Sequence, residues 1–386
     1  MKNRINRLIV VALFGTLLLN ISSCNKKQEQ EKNRSLTGTI TNISKYGNIE
    51  IDIPIEKMEE NDFEYGDVLN VTFNNQSLDL PYCSNYSDVE AYKTGVFGKS
   101  DDVNISLAIN IGDFATTYEI ATKNVNDDGT YEWVYKDGYS TDTTFVIMLK
   151  EKGGYYDEYV LHNLKYTNER DDYPNLTDEQ YANFRMVNTT GIKEDVLYRS
   201  TTPVDPAINR KEYVSEAISR NGINVIINMT DDEATLKSFD GFSTSYYSKQ
   251  KYIALNMTLD FLSDDFKIKL KDAFIFMAEN EGKYLIHCKE GKDRTGFMVA
   301  IIEFLMGASF EEARDDYMVS YYNFYGIDKN DEKYNIVATS NFEKIMNKAL
   351  GVEDIKNEDL SKLANNYLLS IGLSANQIEA IKNNLK

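Results

Sequence analysis

His287 to Gly296 reads HCKEGKDRTG, entered from the apolar run Tyr284-Leu285-Ile286 and left through Phe297 to Met306. The short apolar run before a polar, glycine-bearing stretch reads as a buried strand. The longer apolar run after it reads as a buried helix. Strand, tight loop and helix N-terminus in that order form the repeating unit of a parallel α/β sheet. Cys288 stands at the strand end of the loop and Arg294 at its helix end.

The same alternation extends outward. Strand candidates at 223–229, 251–255 and 283–287 interleave with helical candidates at 205–221, 264–280 and 295–307. Further helices are expected at 309–323, 340–350, 359–371 and 374–385. Residues 176–386 therefore read as an α/β domain with a central, mainly parallel sheet. Residues 168–175, with Arg170-Asp171-Asp172 and Pro174, read as a linker.

Upstream, from 36 to 167, the period is two. Ile49, Ile51, Ile53 and Ile55 alternate with polar residues, as do Leu69, Val71 and Phe73, and Val103, Ile105, Leu107, Ile109 and Ile111. Turn signals separate the runs: Lys45-Tyr46-Gly47-Asn48, Asp127-Asp128-Gly129 and Asp137-Gly138. This is an all-β barrel or sandwich. The chain is thus multidomain, with a β-domain first and the α/β domain after it.

The first 24 residues read as a leader. Lys2, Arg4 and Arg7 form a basic start, and Leu8 to Leu19 is an apolar stretch too short to span a bilayer as a stable helix. Ile21-Ser22-Ser23-Cys24 resembles a bacterial lipobox, which implies lipidation of Cys24 and a lipid-anchored protein of the cell envelope, outside the cytoplasm. Residues 25–35 are a polar tether. Lys and Arg number 42 against 61 Asp and Glu, a net charge of −19, which argues against a nucleic-acid partner. Two histidines and no CxxC leave little from which to build a metal site, and no cofactor is expected. With Cys24 lipidated, Cys83 and Cys288 remain, too few for a disulfide framework.

A thiol with an ordinary pKa of about 8.5 becomes a nucleophile where positive potential lowers that value. Here the helix N-terminus, Arg294, Lys289 and Lys292 supply such potential. A loop wrapped around one centre turns its amides inward as an anion cradle. Lys289, Glu290, Gly291, Lys292, Asp293 and Arg294 would line it, with Gly291 at the sharp turn and Gly296 letting the helix start close to its neighbours. Arg294 is suited to grip two phosphate oxygens. The expected reaction is attack of Cys288 on phosphorus, then hydrolysis of the cysteinyl-phosphate. Thr295 would donate to the sulfur, and His287 would shape the loop rather than act as the base. A carboxylic acid must protonate the leaving oxygen. Asp231 and Asp232, at a strand's C-terminal end, and Asp260, after the next strand, are placed for this.

At these residues the chain resembles the cysteine-based tyrosine phosphatases, most closely the bacterial tyrosine-phosphatase-like family with a GKDRTG loop. Asn183-Phe184-Arg185, Val196-Leu197-Tyr198-Arg199-Ser200 and Asp316-Tyr317-Met318-Val319-Ser320 resemble further segments of that family, as do the terminal helices. The likeness covers about 175 to 386. It implies Cys288 as nucleophile, Arg294 as phosphate binder, and Asp293 as the first candidate for general acid. The loop also resembles HCKAGKGRTG of phosphatase-and-tensin-type lipid phosphatases, whose lysines at the positions of Lys289 and Lys292 hold additional phosphates. Phosphotyrosine proteins are the favoured substrates, with phosphoinositides or inositol phosphates as the alternative. A catalytically weak phospho-ligand binder is a third reading. The stretch TGTITNISKYGNIEIDIP resembles the C-terminal β-domain of enzymes that hydrolyse S-adenosylmethionine; no activity follows from it, because their catalytic half is absent.

Overall fold

The computed structural model describes residues 35–386. The expected leader, Cys24 and nearly all of the tether lie outside the described residues. The chain divides into two compact units, the first ending at Asn163 and the second running from Leu164 to Lys386.

In the first unit, seven strands close into a barrel in the order β1-β2-β6-β5-β4-β3-β9. These are β1 (Ser35–Ile43), β2 (Ile49–Pro54), β3 (Val68–Phe73), β4 (Gln76–Cys83), β5 (Thr94–Phe97), β6 (Asn104–Ile109) and β9 (Thr144–Glu151). Between the last two runs a separate hairpin, β7 (Ala121–Val125) and β8 (Tyr131–Tyr135), turns at Gly129 with φ +83°. The alternation seen in the sequence is the alternation of barrel interior and exterior. Ile49, Ile51, Ile53, Leu69, Val71, Phe73, Ile105 and Leu107 fill the interior. The pattern fails at the strand ends. Ile55 starts a short helix, and Val103 and Ile111 lie outside β6 with their side chains exposed. Cys83 packs against Val89, Phe97 and Ala108, and burial pushes its thiol pKa far up, as befits a small apolar filler.

In the second unit, five strands lie in the order β10-β11-β14-β12-β13. They are β10 (Arg185–Met186), β11 (Leu197–Ser200), β12 (Val225–Asn228), β13 (Lys251–Ala254) and β14 (Tyr284–His287). β11, β14, β12 and β13 are mutually parallel, and only the β10 edge is antiparallel. β14 sits in the middle and is completely buried, so it aims Cys288 out of the sheet's C-terminal edge. The helix Asp293–Met306 that follows is buried on nearly every side. All seven expected helices are present, two of them altered. The helix expected at 205–221 is Lys211–Arg220, with turns and bends before it. The one expected at 340–350 begins within a π-helical segment, Ala338–Glu343, which runs into the α-helix Lys344–Leu350.

The stretch expected as a linker, 168–175, lies within the second unit and is tied down there. Arg210 is fully buried, donates to Tyr181 O, Thr167 O and Asn168 Oδ1, and stacks its guanidinium over Tyr173, Tyr181 and Phe324. The composition of 168–175 is that of a loop, but this cage packs the loop against the domain. Leu285 is the buried midpoint of the central strand. Leu285→Ala should cost about 2–5 kcal/mol of unfolding free energy, read as a lowered urea midpoint of the second unit's transition.

Candidate active site

The loop after β14 is built by its carbonyls. Thr202 N donates to Lys289 O (3.1 Å). Asn183 Nδ2 donates to Glu290 O (3.0 Å), and Arg199 Nη2 to Gly291 O (2.9 Å). With three successive carbonyls held on one side, the intervening amides face the other. Among the described residues, none of the amides from Lys289 to Arg294 donates to another group. The last of them are also the free first-turn donors of the helix starting at Asp293. This is a ready anion cradle. Gly291 has φ +67°, and a Cβ there would stand 2.0 Å from Ser200 O, so only glycine fits. A Cβ at Gly296 would enter the Tyr317 ring, 2.5 Å away.

Behind the cradle lies a buried polar cluster. Arg199 Nη1 donates to Asp316 Oδ2 (2.5 Å) and Arg185 Nε to Asp316 Oδ1 (2.9 Å). Arg185 Nη1 reaches Asn183 Oδ1 (2.7 Å), and Ser320 Oγ accepts from both Asn183 and Arg185. Burial alone would raise the Asp316 pKa, but the two guanidinium groups outweigh it and hold the carboxyl below its usual range. Glu303, buried nearby, goes the other way: burial and the Asp316 charge push its pKa well up. The segments NFR, LYRS and DYMVS are therefore the scaffold of the loop. Sequence reasoning singled them out without giving them this task. All four residues of β11 are buried, Arg199 and Ser200 included, and no pattern in the sequence announces that burial.

Arg294 is aimed by two other loops. Its Nη1 donates to Met229 O (3.1 Å) and Met257 O (2.7 Å), and its Nη2 to Thr230 Oγ1 (3.2 Å). Those carbonyls follow β12, the neighbour of the central β14, and β13, the edge strand beyond it. Its Nε is buried without a partner, a donor left for a bound oxyanion. The Thr295 hydroxyl is likewise buried without a partner. His287 is completely buried, with Nε2 against Tyr247 OH (3.1 Å). Burial, assisted by Arg294, lowers its pKa to about 3, so it is neutral at physiological pH and shapes the loop without delivering charge.

The variable positions of the loop interlock. Lys292 Nζ contacts both oxygens of Asp293 (2.7 and 2.8 Å), lies 3.8 Å from Glu290 Oε2 and sits over the Tyr321 ring. Burial alone would lower the Lys292 pKa, but Asp293, Tyr321, Tyr325 and Glu290 more than compensate and raise it well above its usual value. Tyr166 OH donates to Glu290 Oε1 (2.7 Å). Tyr317 OH approaches Asp293 at 3.5 Å, and Asn341, from the π-helical segment, donates to Tyr321 OH (2.8 Å). Lys289 alone of the two loop lysines is exposed.

The other carboxylates separate by role. Asp232 caps the helix Glu233–Ser238 by accepting from Thr235 N (2.7 Å), which lowers its pKa. Asp260 is exposed and accepts from Leu262 N (3.3 Å) in the turn before Ser263, the cap of the helix Asp264–Glu279. Asp231 is different. It is buried, takes a hydrogen bond from Asn228 Nδ2 (3.0 Å) and follows Met229 and Thr230, two of the three residues that hold Arg294. Burial raises its pKa despite the nearby Arg294.

Residues 170–386 match the family model described as tyrosine phosphatase family, more than half of the chain. The chain belongs to that family. Membership of that family implies a phosphatase, a hydrolase. Among solved structures, the core catalytic domain of the PP-IP phosphatase SIW14 from S. cerevisiae is similar at 22% identity, over 41% of this chain and 93% of that one (TM-score 0.26). TpbA from P. aeruginosa is similar at 16%, over 47% and 88% (TM-score 0.27). An uncharacterised conserved protein from Thermotoga maritima is similar at 15% over 30% of this chain, which spans only 36% of that protein's length (TM-score 0.24). No curated protein matches the chain.

In this phosphatase the scaffold should be measurable by itself. Asp316→Asn leaves Arg185 and Arg199 uncompensated and should cost about 3–5 kcal/mol. Because the folded Asp316 pKa is depressed, its stabilisation is present above the unfolded carboxyl value of about 3.9 and fades as pH falls through the folded one. Urea midpoints measured from neutral pH downward should fall more steeply for the wild type than for Asp316→Asn.

Proposed function

We propose that the chain hydrolyses phosphomonoesters through a cysteinyl-phosphate on Cys288, with phosphotyrosine in proteins as the favoured substrate. The observation that carries this is the pairing of a carbonyl-anchored cradle with an Arg294 whose guanidinium is fixed and still has a free buried donor. The phosphoryl group would sit on the loop amides and Arg294, which stabilise charge on its equatorial oxygens. Cys288 attacks phosphorus as the ester oxygen leaves. Water then attacks the phosphorus of the intermediate, releasing phosphate and restoring the thiolate. The buried Thr295 hydroxyl, free of other partners, is available to the sulfur as it leaves.

For the general acid we favour Asp231 over Asp293. A group that donates a proton benefits from burial that holds the proton on, and Asp231 has that burial beside the Arg294 anchor. Asp293 has both oxygens engaged by the Lys292 ammonium. Asp293 thus suits the role of fixing Lys292, and Asp232 and Asp260 are occupied with caps and turns. The exposed loop residues Leu259 and Leu262, just after the Met257 carbonyl that holds Arg294, offer apolar surface to an aryl ester. The exposed Lys289 favours the second reading, an inositol phosphate or phosphoinositide.

Cys288→Ser should abolish turnover of an aryl phosphate, and Arg294→Ala should weaken phosphate binding. Full hydrolysis by the Cys288→Ser protein would exclude the mechanism. With Asp231 as acid, kcat falls as pH rises through its raised pKa. Asp231→Asn should lower kcat by about 10²–10⁴-fold on a poor leaving group and remove that alkaline limb, whereas Asp293→Asn should retain it. The envelope location is carried by residues 1–24 alone. Labelled palmitate should enter the wild-type chain in a bacterial host and be lost in Cys24→Ala.

A further inference from the structure

A phosphomonoester needs one anion cradle. A ligand with several phosphates needs further cations at its rim. The loop supplies two lysines for that purpose, and it also supplies two carboxylates, Glu290 and Asp293, which cancel them formally. The geometry shows how completely one of the lysines is cancelled. Lys292 is 8% exposed, with Asp293 on its ammonium at 2.7 and 2.8 Å and Glu290 at 3.8 Å.

Glu290 itself is not a loose surface carboxylate. Tyr166 OH donates to its Oε1 at 2.7 Å. The Tyr166 ring is fixed in turn by edge contacts with Phe324 (4.8 Å) and Tyr325 (5.7 Å) and by the Arg210 guanidinium at 5.9 Å. A carboxylate held this way cannot swing off when a polyanion approaches, and its side chain keeps a quarter of its surface in solvent. A fixed, partly exposed negative charge in a phosphate loop opposes a second phosphate while leaving the first to the amides and Arg294.

We propose that Glu290, held by Tyr166 and set against Lys292, is a specificity-determining residue that selects singly phosphorylated substrates and turns away polyphosphorylated ones. This rests on the phosphate-site reading of the loop. It deepens that reading by naming what the loop refuses. Tyr166 is the positioning residue, acting only through Glu290. The repulsion is electrostatic, so it weakens with salt.

Glu290→Gln is the informative change, because the amide oxygen can still accept from Tyr166 while the charge is gone. Binding is measured by calorimetry on the full-length chain carrying Cys288→Ser, with and without Glu290→Gln, using inositol hexakisphosphate and 4-nitrophenyl phosphate. The ratio of the two dissociation constants should move about tenfold toward the polyphosphate at low ionic strength, and the gain should shrink as salt is added. Tyr166→Phe, which frees a still-charged Glu290, should move the ratio the same way by less. An unchanged ratio overturns the proposal. So does equal weakening of both ligands, the mark of a structural role, or binding of neither. Because no turnover is needed, this readout is separate from the hydrolysis assay that decides the cysteinyl-phosphate mechanism.

Discussion

A peptide loop can turn its amides toward an anion only if its carbonyls are satisfied elsewhere. In this protein three successive carbonyls, of Lys289, Glu290 and Gly291, are taken by Thr202, Asn183 and Arg199. Much of the second unit follows from that requirement. Arg199 is buried, so it needs a counter-charge, and Asp316 provides it. Asp316 sits between two arginines, so Arg185 shares it. Arg185 orients Asn183, which returns to the loop. The circuit closes on itself, and removing any member leaves a buried charge or a buried acceptor without its partner. The short β10–β11 pair makes sense in this light. Both strands carry arginines that point to one carboxylate.

This circuit also marks the boundary of what the sequence discloses. Strands β12 and β14 are fully buried and mostly apolar, legible from hydrophobicity alone, whereas β13 at the sheet edge is only half-buried. β11 reads Leu-Tyr-Arg-Ser and is as buried as its neighbours, but apolar periodicity cannot register a buried arginine. In the barrel the alternation of Ile49, Ile51 and Ile53 is visible because the interior is apolar and the exterior wet. The ends of such runs, at Ile55, Val103 and Ile111, are invisible because apolar residues occur on surfaces as well. At the site, Cys288 and Arg294 were evident from spacing. The roles of Asp231, Asp293 and Glu290 were not, since they depend on which cation or amide each one meets in space. The tie from Tyr166 to Glu290 spans 124 positions and leaves no local trace.

The charge economy of the chain fits this arrangement. At −19 the molecule as a whole repels phosphate esters at long range. Capture therefore falls to groups within contact distance, and those are mostly neutral amides and one arginine. His287 is held neutral and Lys292 is matched by carboxylates. The loop's positive character comes from dipoles and Arg294 more than from its lysines, and dipoles of this kind are insensitive to solvent ions when buried.

The π-helical segment Ala338–Glu343 has a consequence for how this family member can vary. A π turn holds about one residue more than an α turn at the same place in a helix. Here the surplus lets neighbours in sequence both face inward: Asn341 toward Tyr321 and Phe342 into the cluster of Tyr317, Phe310 and Phe304. Shortening the segment by one residue would restore a comfortable α-helix and lose one of these two contacts. The helix would gain regularity while the aromatic wall behind Lys292 lost its brace. Length, and not residue type, is what this segment has to conserve.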